Sequence, residues 1–152
     1  MMGSMSKERP TVVGDIMSTK VVTLLPEQNL LGVAEALQHF EYRHVPVVDD
    51  GKVVGVITRV DVLNTAASAF EADSEFRTSN IESFLFVSEV MSTEVRTVRP
   101  DTPLAKAAEA MRFYKIGCLP VVDDDELLVG IVTTTDFLTL SIHLLESRDA
   151  ES

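Results

Sequence analysis

"MSTKVVTLLPEQNLLGVAEALQHFEYRHVPVVDD", residues 17–50, is written a second time 74 places later as "MSTEVRTVRPDTPLAKAAEAMRFYKIGCLPVVDD", residues 91–124, with 15 identities over the 34 positions. One extra residue then enters the second copy. The register resumes with Gly55 opposite Gly130, so that "GVITRVD" (55–61) answers "GIVTTTD" (130–136). Repetition of this kind marks one supersecondary unit used twice.

The copies agree in physical pattern as well as in letters. Leu30, Val33, Ala34, Leu37 and Phe40 recur at helical spacing, as do Leu104, Ala107, Ala108, Met111 and Tyr114, which predicts one apolar helical face per copy. Each helix follows a turn containing proline, at Pro26 or at Pro100 to Pro103, and precedes a short apolar strand, "HVPVVDD" or "CLPVVDD". Asp50-Gly51 predicts a tight hairpin in the first copy. The second copy has Asp125 in place of that Gly and one more residue, so a looser hairpin is expected. Further helices are expected from Val60 to about Phe70 and from Thr135 to about Leu145. Each copy therefore reads strand, helix, strand, strand, helix. Between the copies, Asn80 is a candidate cap for a short helix holding Phe84, Leu85 and Val87.

Residues 1–10 are expected to be a tag remnant and flexible tail, 11–79 the first repeat with its connecting loop, 80–147 the second repeat, and 148–152 an acidic tail. A half of some 60 residues buries too little apolar surface to be comfortable alone, so two halves sharing a core are expected. No apolar run approaches the ~20 residues that span a bilayer, and cytoplasmic is the expected location. The net charge of −11 argues against a nucleic-acid partner, because no basic stripe can neutralise a phosphate backbone. It leaves room for a single nucleotide. Cys118 is the only cysteine, so no disulfide forms within the chain; packing is favoured over a redox role. His39, His44, His143 and Cys118 lack metal-ligand spacing. Neither a GxxxxGK[ST] nor a GxGxxG loop is present.

The repeated "hhPVVD-turn-hhGhhT-x-x-D" (h apolar), each time preceded by M-S-T…T…P and a helix, resembles a tandem pair of cystathionine β-synthase (CBS) domains, often called a Bateman module. The resemblance covers residues 12 to about 146. It implies an α/β (α+β) fold of two βαββα repeats packed about a pseudo-twofold axis. It also implies clefts that take adenosine nucleotides and a flat dimer of modules.

The same resemblance assigns roles to residues. The Asp of G-h-h-T-x-x-D would accept hydrogen bonds from ribose hydroxyls, as an acceptor-only carboxylate can. The Thr would donate to phosphate, beside free N–H groups at a helix start. These residues are Thr58 and Asp61 in one copy, Thr133 and Asp136 in the other, with Thr135 as an added hydroxyl. Thr-x-x-Asp is also a capping box, and both readings can hold together. The base would be gripped from the opposite repeat. Thr133, Thr135 and Asp136 would then face Lys20, Val22, Tyr42 and Arg43, whereas Thr58, Arg59 and Asp61 would face Glu94, Arg96, Ile116 and Gly117. Tyr42 either flanks a purine or crowds it out, and His44 either lines a cleft or sits at its rim. The Asp136 set ranks first as the phosphate site, because it has extra hydroxyls, Arg43 and Lys20.

The expected function is regulatory. The chain would bind AMP, ADP, ATP or a related adenosyl ligand, carry out no chemistry, and need no catalytic cofactor or metal. With no catalytic or transport domain attached, it would signal to a separate, unidentified partner protein. A homodimer is expected, through apolar residues such as Phe137, Leu138, Leu140 and Leu144. The alternative is a ligand-independent dimeric interaction scaffold. A nucleotide-hydrolysing enzyme is the weakest reading, because neither an activated nucleophile nor a metal site is offered.

Overall fold

The computed structural model describes residues 9–30, 43–62 and 85–151. Its elements are a 3-10 turn at Val13–Asp15, strands β1 (His44–Asp49) and β2 (Lys52–Thr58), a short helix α1 (Val87–Val90), helix α2 (Leu104–Tyr114), strands β3 (Cys118–Val122) and β4 (Leu128–Thr133), and helix α3 (Thr134–Glu151). Residues 59–62 are helical too. The strands form two separate two-stranded sheets, β1-β2 and β3-β4, a mixed α/β architecture. The apolar face expected over Val33 to Phe40, Asn80 and Phe84 lie outside the described residues, as does most of the helix expected after Val60.

The chain divides into two units that are not contiguous in sequence. One holds the chain up to Lys20 with Arg96–Asp125 and Val129 onward, and the other holds Val21–Val95 with Glu126–Leu128. Val13, which precedes the first copy, is fully buried in a core with Leu104, Ala107, Met111, Leu119, Val121 and Val132 of the second. Val87, which precedes the second copy, is buried with Leu24, Leu30, Val45, Val47, Ile57 and Val62 of the first. Each copy's lead-in thus completes the other copy's core.

Two matched devices shape these lead-ins. The Asp15 carboxylate accepts from the N–H groups of Thr11 and Val12 at 2.9 and 3.1 Å, and Glu89 accepts from Phe86 N–H at 2.9 Å. Both acids satisfy donors that a short turn leaves open. Glu89 therefore starts α1 one residue after Phe86, which leaves Leu85 outside the helix expected to hold it; its carbonyl accepts from Leu30 N–H at 2.9 Å. Downstream, Ser18 and Ile131 exchange both backbone hydrogen bonds at 2.9 Å, and Ser92 and Val56 do so at 2.9 and 3.0 Å. The lead-in crosses so near the strand that a Cβ on Gly130 would lie 2.8 Å from Met17 Sδ and 2.9 Å from Ser18 O. A Cβ on Gly55 would collide with Met91 and lie 3.0 Å from Ser92 O. The glycine opening each G-h-h-T-x-x-D is there for this crossing.

The first strand expected in each copy is reduced to a single parallel bridge, Leu24 to Val47 and Val98 to Val121. Leu24 donates to Pro46 O at 3.0 Å and accepts from Val48 N–H at 2.8 Å; Val98 donates to Pro120 O and accepts from Val122 N–H at the same distances. A parallel ladder would next use the N–H two residues after the bridging residue, and the N–H of the residue before its partner. Those positions are Pro26 and Pro46 in one unit, Pro100 and Pro120 in the other. Proline lacks the donor, so the ladder stops at one residue on both sides.

The β1-β2 turn has Asp50 at φ 51° and Gly51 at φ 80°, the positive pair that a two-residue type I′ hairpin needs. The register slips once, between Val47 and Val48. The β3-β4 loop is longer, as expected, and places Glu126 at φ 66°, while Asp123 Oδ1 accepts from Asp125 N–H at 2.9 Å. Helix α2 ends with Lys115 at φ 55°, a left-handed cap that usually falls to glycine.

Helix α3 departs from expectation at both ends of its reading. It runs on to Glu151 because residues 146–151 contain neither glycine nor proline, so it takes in residues 148–151 of the expected acidic tail. Its apolar residues also serve two faces. Phe137 and Leu140 pack on the core, and Leu144 is half-buried on the same face. Leu138, Ile142 and Leu145 are exposed at 64%, 56% and 61%. Of the residues expected to form a dimer surface, Leu138 alone is exposed, because the spacing of 137, 140 and 144 turns those side chains inward.

Gly130→Ala should destabilise the protein by about 1–3 kcal/mol, since the clash includes the Ser18 backbone. Lys115→Gly should stabilise it by about 0.5–1 kcal/mol by relieving the left-handed conformation. Urea denaturation of both variants measures these shifts, and an unchanged midpoint for Gly130→Ala would contradict the crossing. Residues 80–152 expressed alone lack Val13 and should melt without a cooperative transition; a melt matching the full chain would show that the lead-in is dispensable.

Candidate functional site

In each unit the Thr-x-x-Asp motif sits where a strand becomes a helix. Thr133 ends β4 and α3 starts at Thr134; Thr58 ends β2 and helical residues follow from 59. Thr133 N–H donates to Asp136 Oδ2 at 2.8 Å, and Asp136 N–H donates to Thr133 Oγ1 at 3.4 Å. Thr58 N–H donates to Asp61 Oδ2 at 3.1 Å, and Asp61 N–H donates to Thr58 Oγ1 at 3.0 Å. These are reciprocal capping boxes with Asp as the acid. A third backbone bond matches as well: Arg59 N–H donates to Arg43 O, and Thr134 N–H to Gly117 O, each at 3.1 Å. The two motifs share one hydrogen-bond frame.

Capping leaves specific atoms for other work. The Thr133 hydroxyl also donates to Asp136 Oδ2 at 3.2 Å. A hydroxyl has one proton, so Thr133 must turn from Asp136 before it can donate elsewhere. Asp136 uses only Oδ2 in these bonds; its Oδ1 has no partner among the described residues. All four motif residues are half-buried. A carboxylate fixed at one oxygen and open at the other is a positioned acceptor.

The surroundings of the two frames differ. His44 lies opposite Thr58 in the β1-β2 register. Burial first, then the Arg43 guanidinium, holds its imidazole below the usual value, partly offset by the Asp61 carboxylate. The matching position in the other unit is Cys118, whose thiol is pushed up to about 11 by burial. Such a thiol is protonated and unreactive at neutral pH, as a packing residue should be.

The remaining expected residues distribute as follows. Lys20, exposed, belongs to the unit of Thr133, Thr135 and Asp136. Val22 and Arg43 belong to the unit of Thr58, Arg59 and Asp61, as does Glu94. Arg96, Ile116 and Gly117 belong to the unit of Asp136. Arg96 is stacked over the Tyr114 ring, 3.6 Å from its centroid. Ile116 lines an apolar groove of about 350 Å³ between α2 and α3, with Met111, Arg112, Thr134, Phe137 and Leu138. Tyr42 lies outside the described residues. Sequence reasoning passed over Thr134 and the Ser18 and Ser92 bridges. The first was legible from the 75-residue offset to Arg59, the others from each M-S-T preceding a G-h-h-T in the opposite copy.

Among the described residues no three His, Cys, Asp or Glu side chains gather as a metal site, and no helix is long and apolar enough to cross a membrane. The family model for the CBS domain matches residues 13–68 and 87–143. Protein MJ1225 of Methanocaldococcus jannaschii is 33% identical over 129 residues, 84% of this chain and 46% of that protein. The CBS domain pair of protein MJ0100, solved with 5'-methylthioadenosine and S-adenosyl-L-methionine, is 32% identical with a TM-score of 0.71, covering 86% of this chain and 98% of that one. CBSX2 from Arabidopsis thaliana, solved with AMP, is 26% identical with a TM-score of 0.73, covering 89% and 98%. The chain spans about half the length of MJ1225 and 24% of a homoserine O-acetyltransferase from Methanohalobium evestigatum.

Thr58→Ala should cost about 1 kcal/mol in denaturation, the usual worth of a cap; no loss would show that the box is idle. His44 titrates lower in the folded protein than in the unfolded chain. Its contribution is therefore present above about pH 6.5, and is lost as pH falls from there through the folded value. His44→Gln should flatten the stability profile in that window, and an unaltered profile would assign the acid sensitivity elsewhere.

Proposed function

Because the chain belongs to the CBS domain family, carrying two such domains in tandem, we propose that it is a regulatory module that binds an adenine nucleotide or related adenosyl ligand and performs no chemistry of its own. One observation carries this reading. Each unit holds a carboxylate rigidly at a strand-to-helix junction, and Asp136 keeps Oδ1 open among the described residues. The carboxylate accepts from ribose hydroxyls while the cap keeps it in place. Relatives support the ligand class, since one CBS pair was solved with two adenosyl compounds and another with AMP. In this reading Thr133, Thr135, Asp136 and Lys20 contribute from one unit, and Thr58, Arg59 and Asp61 from the other.

Signalling follows from linkage. A ligand shifts a conformational equilibrium only by its difference in affinity for the two states, and a partner protein reads the shift. The exposed face of Leu138, Ile142 and Leu145 supports assembly of a homodimer, where twofold closure would bury the same stripe on both copies. That face also favours a second reading, a dimeric scaffold indifferent to ligand.

Calorimetry and thermal shift with AMP, ATP, S-adenosylmethionine and 5'-methylthioadenosine separate the two. A ligand at about 100 times its Kd should add ~2.7 kcal/mol of stability, and Asp136→Ala should remove most of the gain. Absence of any shift with all four would favour the scaffold. Light scattering should report a dimer that Leu138→Glu/Ile142→Glu dissociates, whereas a wild-type monomer would remove the assembly from the proposal.

A further inference from the structure

The shared frame allows the two motifs to be compared position by position. Arg59 and Thr134 make the same backbone bond, at 3.1 Å, to the carbonyls of Arg43 and Gly117. His44 and Cys118 follow those residues at the start of β1 and β3. The three side-chain positions beside one Thr-x-x-Asp are therefore Arg43, His44 and Arg59; beside the other they are Gly117, Cys118 and Thr134. Arg43 and Arg59 are exposed, and neither forms an ion pair among the described residues. His44, opposite Thr58 in the β1-β2 register, lies within electrostatic reach of both the Arg43 guanidinium and the Asp61 carboxylate, and Arg59 is bonded through its backbone to Arg43. At these positions two guanidinium groups stand against one carboxylate, in a chain whose net charge is −11. The three matched positions at Asp136 carry no charge.

Resting on the adenosyl-binding reading, we propose that the two motifs sort ligands by charge: Thr58 and Asp61, with Arg43 and Arg59 as selectivity determinants, take a phosphorylated adenosine, and Thr133 and Asp136 take an adenosyl ligand without phosphate. Guanidinium pairs bind phosphate oxygens through charge-assisted, often bidentate hydrogen bonds. Removing Thr134 and Gly117 from such a role leaves hydroxyl and backbone, which suit a nucleoside. On this proposal the Asp61 motif ranks first for phosphate, where the sequence reading ranked the Asp136 set first and gave it Arg43 from the opposite repeat. Arg43 lies in the unit of Asp61, and its carbonyl accepts from Arg59 N–H.

The test uses the full chain and two ligands that differ only by phosphate, AMP and adenosine, titrated by calorimetry. Arg43→Gln/Arg59→Gln should lower the AMP-to-adenosine affinity ratio about tenfold or more. Lys106→Gln/Arg112→Gln, which removes two exposed cations from the unit of Asp136, should leave the ratio within about twofold. Asp61→Asn should weaken AMP more than adenosine, and Asp136→Asn the reverse. Wild-type AMP affinity should fall as salt rises from about 50 to 500 mM while adenosine affinity holds, a measurement that requires no variant to fold. Adenosine binding with a ratio insensitive to Arg43, Arg59 and salt overturns the sorting but keeps the binding reading. Loss of AMP affinity through Lys106→Gln/Arg112→Gln also overturns it. Failure of wild type to bind either ligand overturns both.

Discussion

Val13 and Val87 are each fully buried in a core that the other copy builds, and this exchange is the constraint on which the rest of the structure depends. A repeat of this size buries too little apolar surface by itself. Borrowing a lead-in adds an anchor residue, the acid-capped turn at Asp15 or Glu89, and the crossing at Ser18 or Ser92. The crossing in turn demands glycine at 130 and 55. The glycine that opens each G-h-h-T-x-x-D is thus a packing requirement, and the Thr-x-x-Asp three residues on inherits its position from that contact.

The same logic resolves the tension between cap and ligand. A capping box uses one carboxylate oxygen and one hydroxyl, and it holds both within one turn of the chain. At Asp136 the cap takes Oδ2 and leaves Oδ1 open among the described residues, so capping is compatible with the proposed ligand contact. Duplication then frees the two motifs to differ. Their backbone bonds match to within a few tenths of an ångström, while the side chains beside them went from Arg, His and Arg to Gly, Cys and Thr. Shape is held by main chain, and charge is left to vary.

Much of this was legible in the residues. Asp50-Gly51 announced its turn because two positive φ angles have few alternatives to glycine and asparagine or aspartate. Thr-x-x-Asp was readable both as a cap and as a site, because each use needs the same spacing. The face of α2 followed from Leu104, Ala107 and Met111 at helical intervals, all buried, whereas Tyr114, expected on the same face, is exposed beneath Arg96. The division of α3 was harder to see. Phe137, Leu138, Leu140 and Leu144 are equally apolar, and a mixture of core-facing and exposed leucines carries no clear periodicity. The first strand of each copy was over-read, since the prolines at 26, 46, 100 and 120 remove the donors that would have extended it.

By itself the sequence determined the duplication, the hairpins, the helix between turn and strand in the second copy, the family resemblance and the paired motifs, because these rest on local spacing and on comparison of the chain with itself. Only the tertiary structure decided which lead-in serves which core, which side of α3 stays exposed, and that Arg43 keeps company with Arg59 and Asp61. Those outcomes depend on contacts between residues far apart in the chain, and two copies that share only 15 of 34 positions still offer each lead-in two similar partners.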